Sequence, residues 1–343
     1  MIFSYRARQR WKRLLTVLLY ALAVLLLLAC CLLLWLQRFI VYTPEGVQLN
    51  FDLPQISAPG STPVKPESTR IPIEYVGEQI EDPDDPIIEP PVKERLEGYY
   101  IEPTQLQQED HSEVYALLQT LPAGTPVMLD VVSMWGNFFY TSDLGNASNA
   151  YDIAKMDQLI SYLAESDLYV IARFPALRNY HFANKYNLCG IQSKGGYVWA
   201  DADSVYWLDP TKDRTMNYLI QVIKQLRGLG FDEVVLQDFT IPVSDNIAFD
   251  GDRQQILNDT AQALVAACSN DQFTVAFVAQ APTLQMPEGN SRLYLMDVPA
   301  ADASDILMQM QVNDPMTDVV IIAQSYDTRY DICGILHPLS QAH

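Results

Sequence analysis

Residues 229–242 read LGFDEVVLQDFTIP, and the boundary inside this stretch decides the fold. Upstream of it, Asp209 and Pro210 are expected to open a helix whose Met216, Leu219, Ile220, Ile223 and Leu226 share one face, with Gly228 or Gly230 as its stop. Downstream, Glu233–Asp238 is a short apolar run closed off before Pro242, which reads as a strand buried on both faces. A helix leading straight into such a strand is part of a repeating αβ pattern, and the same texture extends in both directions.

Outward from that stretch, Gly98–Glu102, Pro126–Val131, Leu168–Arg173, Phe273–Val278, Leu293–Met296 and Asp318–Ala323 have the same character, and Ile332–Leu336 supplies an eighth candidate strand. Asp152 is placed to cap a further helix, with Ile153, Met156, Leu159, Ile160 and Leu163 as its apolar stripe. Eight strands within residues 96–343 predict an α/β fold of (β/α)8 TIM-barrel type. The alternative, a doubly wound open sheet, lacks the GxGxxG turn of a dinucleotide site. Only about a dozen residues separate Val278 from Leu293, too few for a full helix and two loops, so outer helices are expected to be missing from the second half.

Leu14–Leu36 contains 23 residues without a charge, long enough at about 35 Å to cross a bilayer core. Arg6, Arg8, Arg10, Lys12 and Arg13 precede it and Arg38 follows, so the positive-inside rule predicts a cytoplasmic tail (1–13), a single transmembrane helix (14–36) and an extracytoplasmic remainder. The run is too long for a cleaved signal peptide and continues in leucines past Cys30, which makes a lipidated cysteine there the minor alternative. Residues 43–94 hold ten of the 21 prolines together with acidic clusters, so 37–95 is expected to be an extended stalk, with a small hairpin within Phe39–Leu53.

The net charge is −20, and since residues 1–38 carry +6, the rest carries −26. Such a surface repels nucleic acid and keeps an exported domain soluble. Cys189, Cys268 and Cys333 are odd in number and widely spaced, so no disulfide framework is expected. With no CxxC pair, no HExxH and four histidines in all, neither a metal site nor a cofactor is expected.

Several segments resemble a family of bacterial exported proteins regarded as glycoside hydrolases, which form a TIM barrel and often carry an N-terminal anchor. The resemblance spans roughly residues 96–245. Residues 229–242 are similar to a family pattern of GFDE followed by QFDYIRFP; LDVVSMWGNFFYTS (129–142), YVIARF (169–174), the Trp199-x-Asp201 spacing and Trp207-Leu208-Asp209-Pro210 also match. Departures fall at strand ends. Gln237 stands for the aspartate of FDY and Thr240 for the arginine of RFP, Val132 and Ser133 replace a lysine and an aspartate, and Leu177, Arg178 and Asn179 replace Phe-Lys-Asp.

Glycoside hydrolysis commonly uses two carboxyl groups about 5–9.5 Å apart. Acids at the predicted strand ends are Glu102, Asp130, Asp238 and Asp297, and Asp130, Asp238 and Asp297 are taken as the catalytic candidates. Each also has a structural use: Asp130 as an acceptor in a polar barrel layer, Asp297 as a loop or cap residue. Alternation predicts that Asp238 faces away from the barrel axis unless a bulge intervenes. Trp135, Tyr140, Trp199 and Trp207 fall on loops expected at the barrel mouth, where their faces would stack on sugar rings or form the core of the loops. Asp201, Arg173 and Gln237 complete the expected substrate contacts, Arg173 also being placed to pair with a buried carboxylate. The expected function is glycan binding outside the cell membrane with catalysis weak or lost, or hydrolysis by a relocated carboxylate pair.

Overall fold

The computed structural model describes residues 40–43, 46–49, 93–279, 284–310 and 312–342. The chain divides into two units, 1–83 and 84–343. In the first, Ile40–Thr43 and Gly46–Leu49 pair antiparallel, the hairpin expected within Phe39–Leu53. The predicted transmembrane helix 14–36, the cytoplasmic tail and most of the stalk lie outside the described residues. Among the described residues no helix is long and apolar enough to cross a membrane.

The second unit holds eight parallel strands that close into a barrel in sequence order. They are β1 (Glu97–Tyr100), β2 (Pro126–Asp130), β3 (Tyr169–Pro175), β4 (Glu233–Gln237), β5 (Thr274–Val278), β6 (Ser291–Met296), β7 (Val319–Ile322) and β8 (Gly334–Pro338). A closed parallel barrel alternating with helices is the TIM-type architecture. Its outer layer comprises α1 (Ser112–Leu118), α2 (Ile153–Ala164), α4 (Asp213–Gly228), α5 (Arg253–Cys268) and α6 (Ala303–Met310), while α3 (Tyr180–Lys185) rises from the loop after β3. Among the described residues no helix joins β5 to β6, and a single 3-10 turn, Thr328–Tyr330, lies between β7 and β8. The shortened second half is therefore present as expected.

Helix ends follow local chemistry. The Asp152 carboxylate accepts the Lys155 N–H and starts α2, whose Met156, Leu159, Ile160 and Leu163 are buried against the strands. Asp209 and Pro210 form a turn rather than a helix start: the Asp209 carboxylate accepts from both the backbone and the hydroxyl of Thr211, and α4 begins at Asp213. Gly230, at φ +92°, makes the reversal into β4.

Two apolar layers hold the unit together. Val127, Leu129, Val170, Ala172, Val234, Leu236, Val275 and Phe277 face the helices, whereas Met128, Ile171, Val235, Ala276, Tyr294 and Leu336 fill the barrel interior. The interior is closed at its N-terminal end, the floor, by polar groups. Glu233, fully buried, accepts from the Arg292 guanidinium and from the hydroxyls of Tyr169 at 2.8 Å and Tyr294 at 2.7 Å.

Candidate active site at the barrel mouth

Barrel sites are built where strands end, and here the inward residues at the C-terminal ends are Asp130, Arg173, Gln237 and Met296. Asp130 and Arg173 are register neighbours on β2 and β3. The Arg173 Nε donates to Asp130 Oδ1 at 2.6 Å and its Nη2 to Oδ2 at 3.0 Å, so both carboxylate oxygens are engaged by one planar fork. Of the two uses expected for Arg173, the structure has the pairing. Gln237 ends β4, and among the described residues its side-chain amide has no partner.

Asp238 lies just past β4, where strand alternation no longer applies: at φ 52° it leaves the extended conformation, and its carboxyl group lies within electrostatic reach of Arg178, Asp201 and Arg173. Burial pushes that carboxyl above its ordinary range, the Asp201 charge adds to the effect, and the two guanidiniums oppose it. Asp297, just past β6, has the same left-handed backbone at φ 56°. A left-handed conformation costs an L-residue roughly 1–2 kcal/mol, and Asp is among the few side chains that adopt it. Together with Gln237, Val278 and Met296, the two aspartates line one cavity of about 430 Å³ at the mouth. Asp297 also contributes to holding the Tyr100 hydroxyl above its usual range, an effect dominated by burial, with Glu102 next. Glu102 itself caps the turn Pro103–Leu106 and accepts from Ser340.

The loops after β2 and β3 separate the expected aromatic contacts into two groups. Trp135 is 37% exposed and meets Tyr180 edge-on at 5.4 Å, and Tyr180 stacks on Tyr206 at 4.9 Å, forming a short aromatic ledge. Tyr140, by contrast, is 1% exposed and donates to Gln225 of α4, so burial removes it from any contact surface and makes it a packing residue. Trp207 is also buried, and Trp199 packs against the same core. Asp201 organises the β3 loop: it accepts from Trp207 Nε1 at 2.9 Å, from Arg178 Nε at 2.7 Å and from the backbone of Asp203 and Val205. Burial alone would raise its pKa, but the Val205 N–H, the indole and the guanidinium together hold the carboxyl below its ordinary value.

Tyr100 and Tyr180 belong to the site region but were not singled out from the sequence. Arg178, three residues past the end of β3, stood out in the sequence only as a departure from the family pattern. A polar hollow of about 460 Å³ at the floor, lined in part by Lys93, Arg95 and Arg292, lies at the opposite end of the strands. Its cations already bind protein acceptors: Lys93 holds Ser291 O and Asp318, Arg95 holds Cys333 O, and Arg292 holds Glu233 and Thr317 O.

Residues 100–267 match the model of a family described as "Putative glycosyl hydrolase domain". No curated protein matches the sequence. Among solved structures, a hypothetical protein from Ruminiclostridium thermocellum is 18% identical over 52% of this chain and 96% of its own, with a TM-score of 0.46. The alpha-galactosidase from Lactobacillus brevis is 11% identical over 74% of this chain and 38% of its own (TM-score 0.47). The glycoside hydrolase domain of PelA from Pseudomonas aeruginosa is 13% identical over 67% and 84% (TM-score 0.41). The chain spans less than half the length of the alpha-galactosidases it resembles, which include one from Thermus thermophilus at 44%. With TM-scores below 0.5, these likenesses concern only the course of the backbone.

Proposed function

From a barrel whose residues 100–267 match a glycosyl hydrolase domain model, we infer that this chain binds an envelope or external glycan at the barrel mouth and hydrolyses it weakly or not at all. The observation that carries this reading is the inward layer at the strand ends. Its one carboxylate, Asp130, has both oxygens on Arg173, and the equivalent position on β4 is the neutral Gln237. An amide neither attacks an anomeric carbon nor takes a proton from water, so the chemistry of a two-carboxylate mechanism has lost one member. Binding needs neither step. The free amide of Gln237 and the ledge of Trp135, Tyr180 and Tyr206 supply hydrogen bonds and a flat apolar face, the pair of features that hold a sugar ring.

One observation favours a second reading, hydrolysis by a relocated pair. Asp238 and Asp297 both adopt a strained backbone at the edge of the same cavity, and burial favours the protonated form of Asp238, as a general acid requires. They follow β4 and β6, two strand spacings of about 4.8 Å apart, so their backbones are separated by roughly 10 Å. Side chains leaning inward from that separation suit the inverting range of about 6.5–9.5 Å. The chain is further proposed to be anchored in the cell membrane through residues 14–36, with residues 37–95 as a stalk and the barrel outside. Support comes from the uncharged run and its basic flank.

Incubating the protein with a polysaccharide panel and measuring both retention and new reducing ends tests the two readings. Retention without release supports binding. Release that is lost in Asp238→Asn and Asp297→Asn, with an inverted product anomer, replaces it with the relocated pair. An export-dependent reporter fused after His343 that stays silent, while a cytoplasmic one works, refutes the proposed orientation.

A further inference from the structure

Apart from the mouth, the loops after β2 and β3 enclose a second polar cavity of about 450 Å³. It shares Phe182, Tyr186, Tyr218 and Gln221 with a neighbouring hollow of about 400 Å³, so the two form one continuous groove along the flank between α3 and α4. None of the groove's lining residues lines the mouth cavity. We propose that this groove is a second glycan-binding site, taking a neutral oligosaccharide. The proposal rests on the glycan reading of the mouth for its ligand class.

The floor of the groove is rigid. Asn179 is 2% exposed; its Oδ1 accepts the Phe182 N–H at 2.9 Å and its Nδ2 donates to the Tyr218 hydroxyl at 3.0 Å. Gly136, at φ +82°, passes so close that a Cβ there would lie 2.1 Å from Asn179 Oδ1, so the loop after β2 is fitted to this amide. The Tyr218 oxygen accepts from Asn179, which leaves its O–H as a donor with no protein acceptor among the described residues, at the groove surface. Above this floor, the side chains of Asn146, His181, Asn184 and Gln221 line the hollow, also without protein partners among the described residues.

These groups define the ligand. Amides and an imidazole present paired donors and acceptors without net charge, the complement of adjacent sugar hydroxyls. Phe182, 5.0 Å from the Tyr186 ring, provides an apolar surface for the C–H face of a sugar ring. The charged residues lining the groove balance: Lys185 and Arg214 lie over the Tyr186 ring, and Asp143, which accepts from Gln225, and Asp213 offset them in number. The net charge of −26 over residues 39–343 opposes an anionic ligand. Tyr180 touches Trp135 on one side and His181, a groove residue, on the other, so a chain leaving the mouth passes over the ledge towards the groove.

The test uses the full-length protein and nuclear magnetic resonance titrations with chitotriose, laminaritriose and maltotriose, following side-chain amide signals in the groove and at the mouth separately. Gln221→Ala alters the groove on an exposed helical position, and Gln237→Leu alters the mouth. At least one trisaccharide is expected to shift both sets of signals, with Gln221→Ala weakening the groove set at least fivefold and leaving the mouth set unchanged. Shifts confined to the mouth and insensitive to Gln221→Ala overturn the second site while the mouth reading stands. Shifts confined to the groove and lost in Gln221→Ala sustain the second site and overturn the mouth reading. No shift with any of the three sugars overturns both.

Discussion

Replacing Arg173 by leucine orphans Asp130, and the structure sets the size of the effect. Removing one partner of a fully buried ion pair costs about 3–5 kcal/mol. Here the side chains are 11% and 20% exposed, so water reaches the abandoned carboxylate and the expected loss is about 2–3 kcal/mol. In a domain of this size each kcal/mol lowers the midpoint by about 2–4 °C, so thermal unfolding should fall by roughly 4–12 °C. Substituting both residues, Arg173→Leu with Asp130→Leu, removes the orphaned charge and should recover most of the loss. Urea unfolding of the four proteins across pH 4–8 measures the coupling. A single variant costing less than about 0.5 kcal/mol, or a double variant as costly as the sum of the singles, refutes the reasoning.

Three other outcomes are expected. Arg292→Met leaves the fully buried Glu233 without its guanidinium partner and should cost about 3–5 kcal/mol in chemical denaturation, more than the Arg173 change because this pair is the more deeply buried. Asp201→Ala removes the acceptor of four hydrogen bonds in the loop after β3, and limited proteolysis should show faster cleavage near residues 201–207 while the barrel's melting transition shifts little. Asp238 has a raised folded value, so its contribution is fully present below the unfolded value near 3.9 and is lost as pH rises through the folded one; wild-type protein should therefore lose stability relative to Asp238→Asn as pH is raised from 4, and parallel curves would contradict this.

The strands were legible because β2, β3 and β4 are runs too apolar and too short for anything but a doubly buried sheet, and the brief Val278–Leu293 connection disclosed the missing helix. Which face each residue takes was not legible, since period-two alternation disappears when both faces are buried. Asp238 shows a related limit: alternation was extended one residue past the strand, where the backbone is left-handed and alternation no longer applies. Tyr140 and Asp201 illustrate a different limit. An aromatic or a carboxylate on a mouth loop looks the same in sequence whether it meets solvent or, as here, Gln225 and Trp207. The floor network was missed although its pattern was present, with Tyr169, Glu233, Thr274 and Arg292 each at the start of its strand and polar among apolar neighbours.

Closing the barrel brings β8 against β1, and around that seam Arg95 binds the Cys333 carbonyl across 238 positions of sequence. Loop-closure entropy for such a span exceeds that of a 30-residue βα neighbour by about 2 kcal/mol, and it must be met before the seam's own contacts exist. A chain emerging from its N-terminus onward therefore carries β1 with one edge unpaired until Gly334–Pro338 arrives. That interval is the vulnerable period of its synthesis, because an open parallel edge is a template for pairing with other chains. Shortening the chain before residue 334 should trap it there, giving aggregation rather than a smaller barrel.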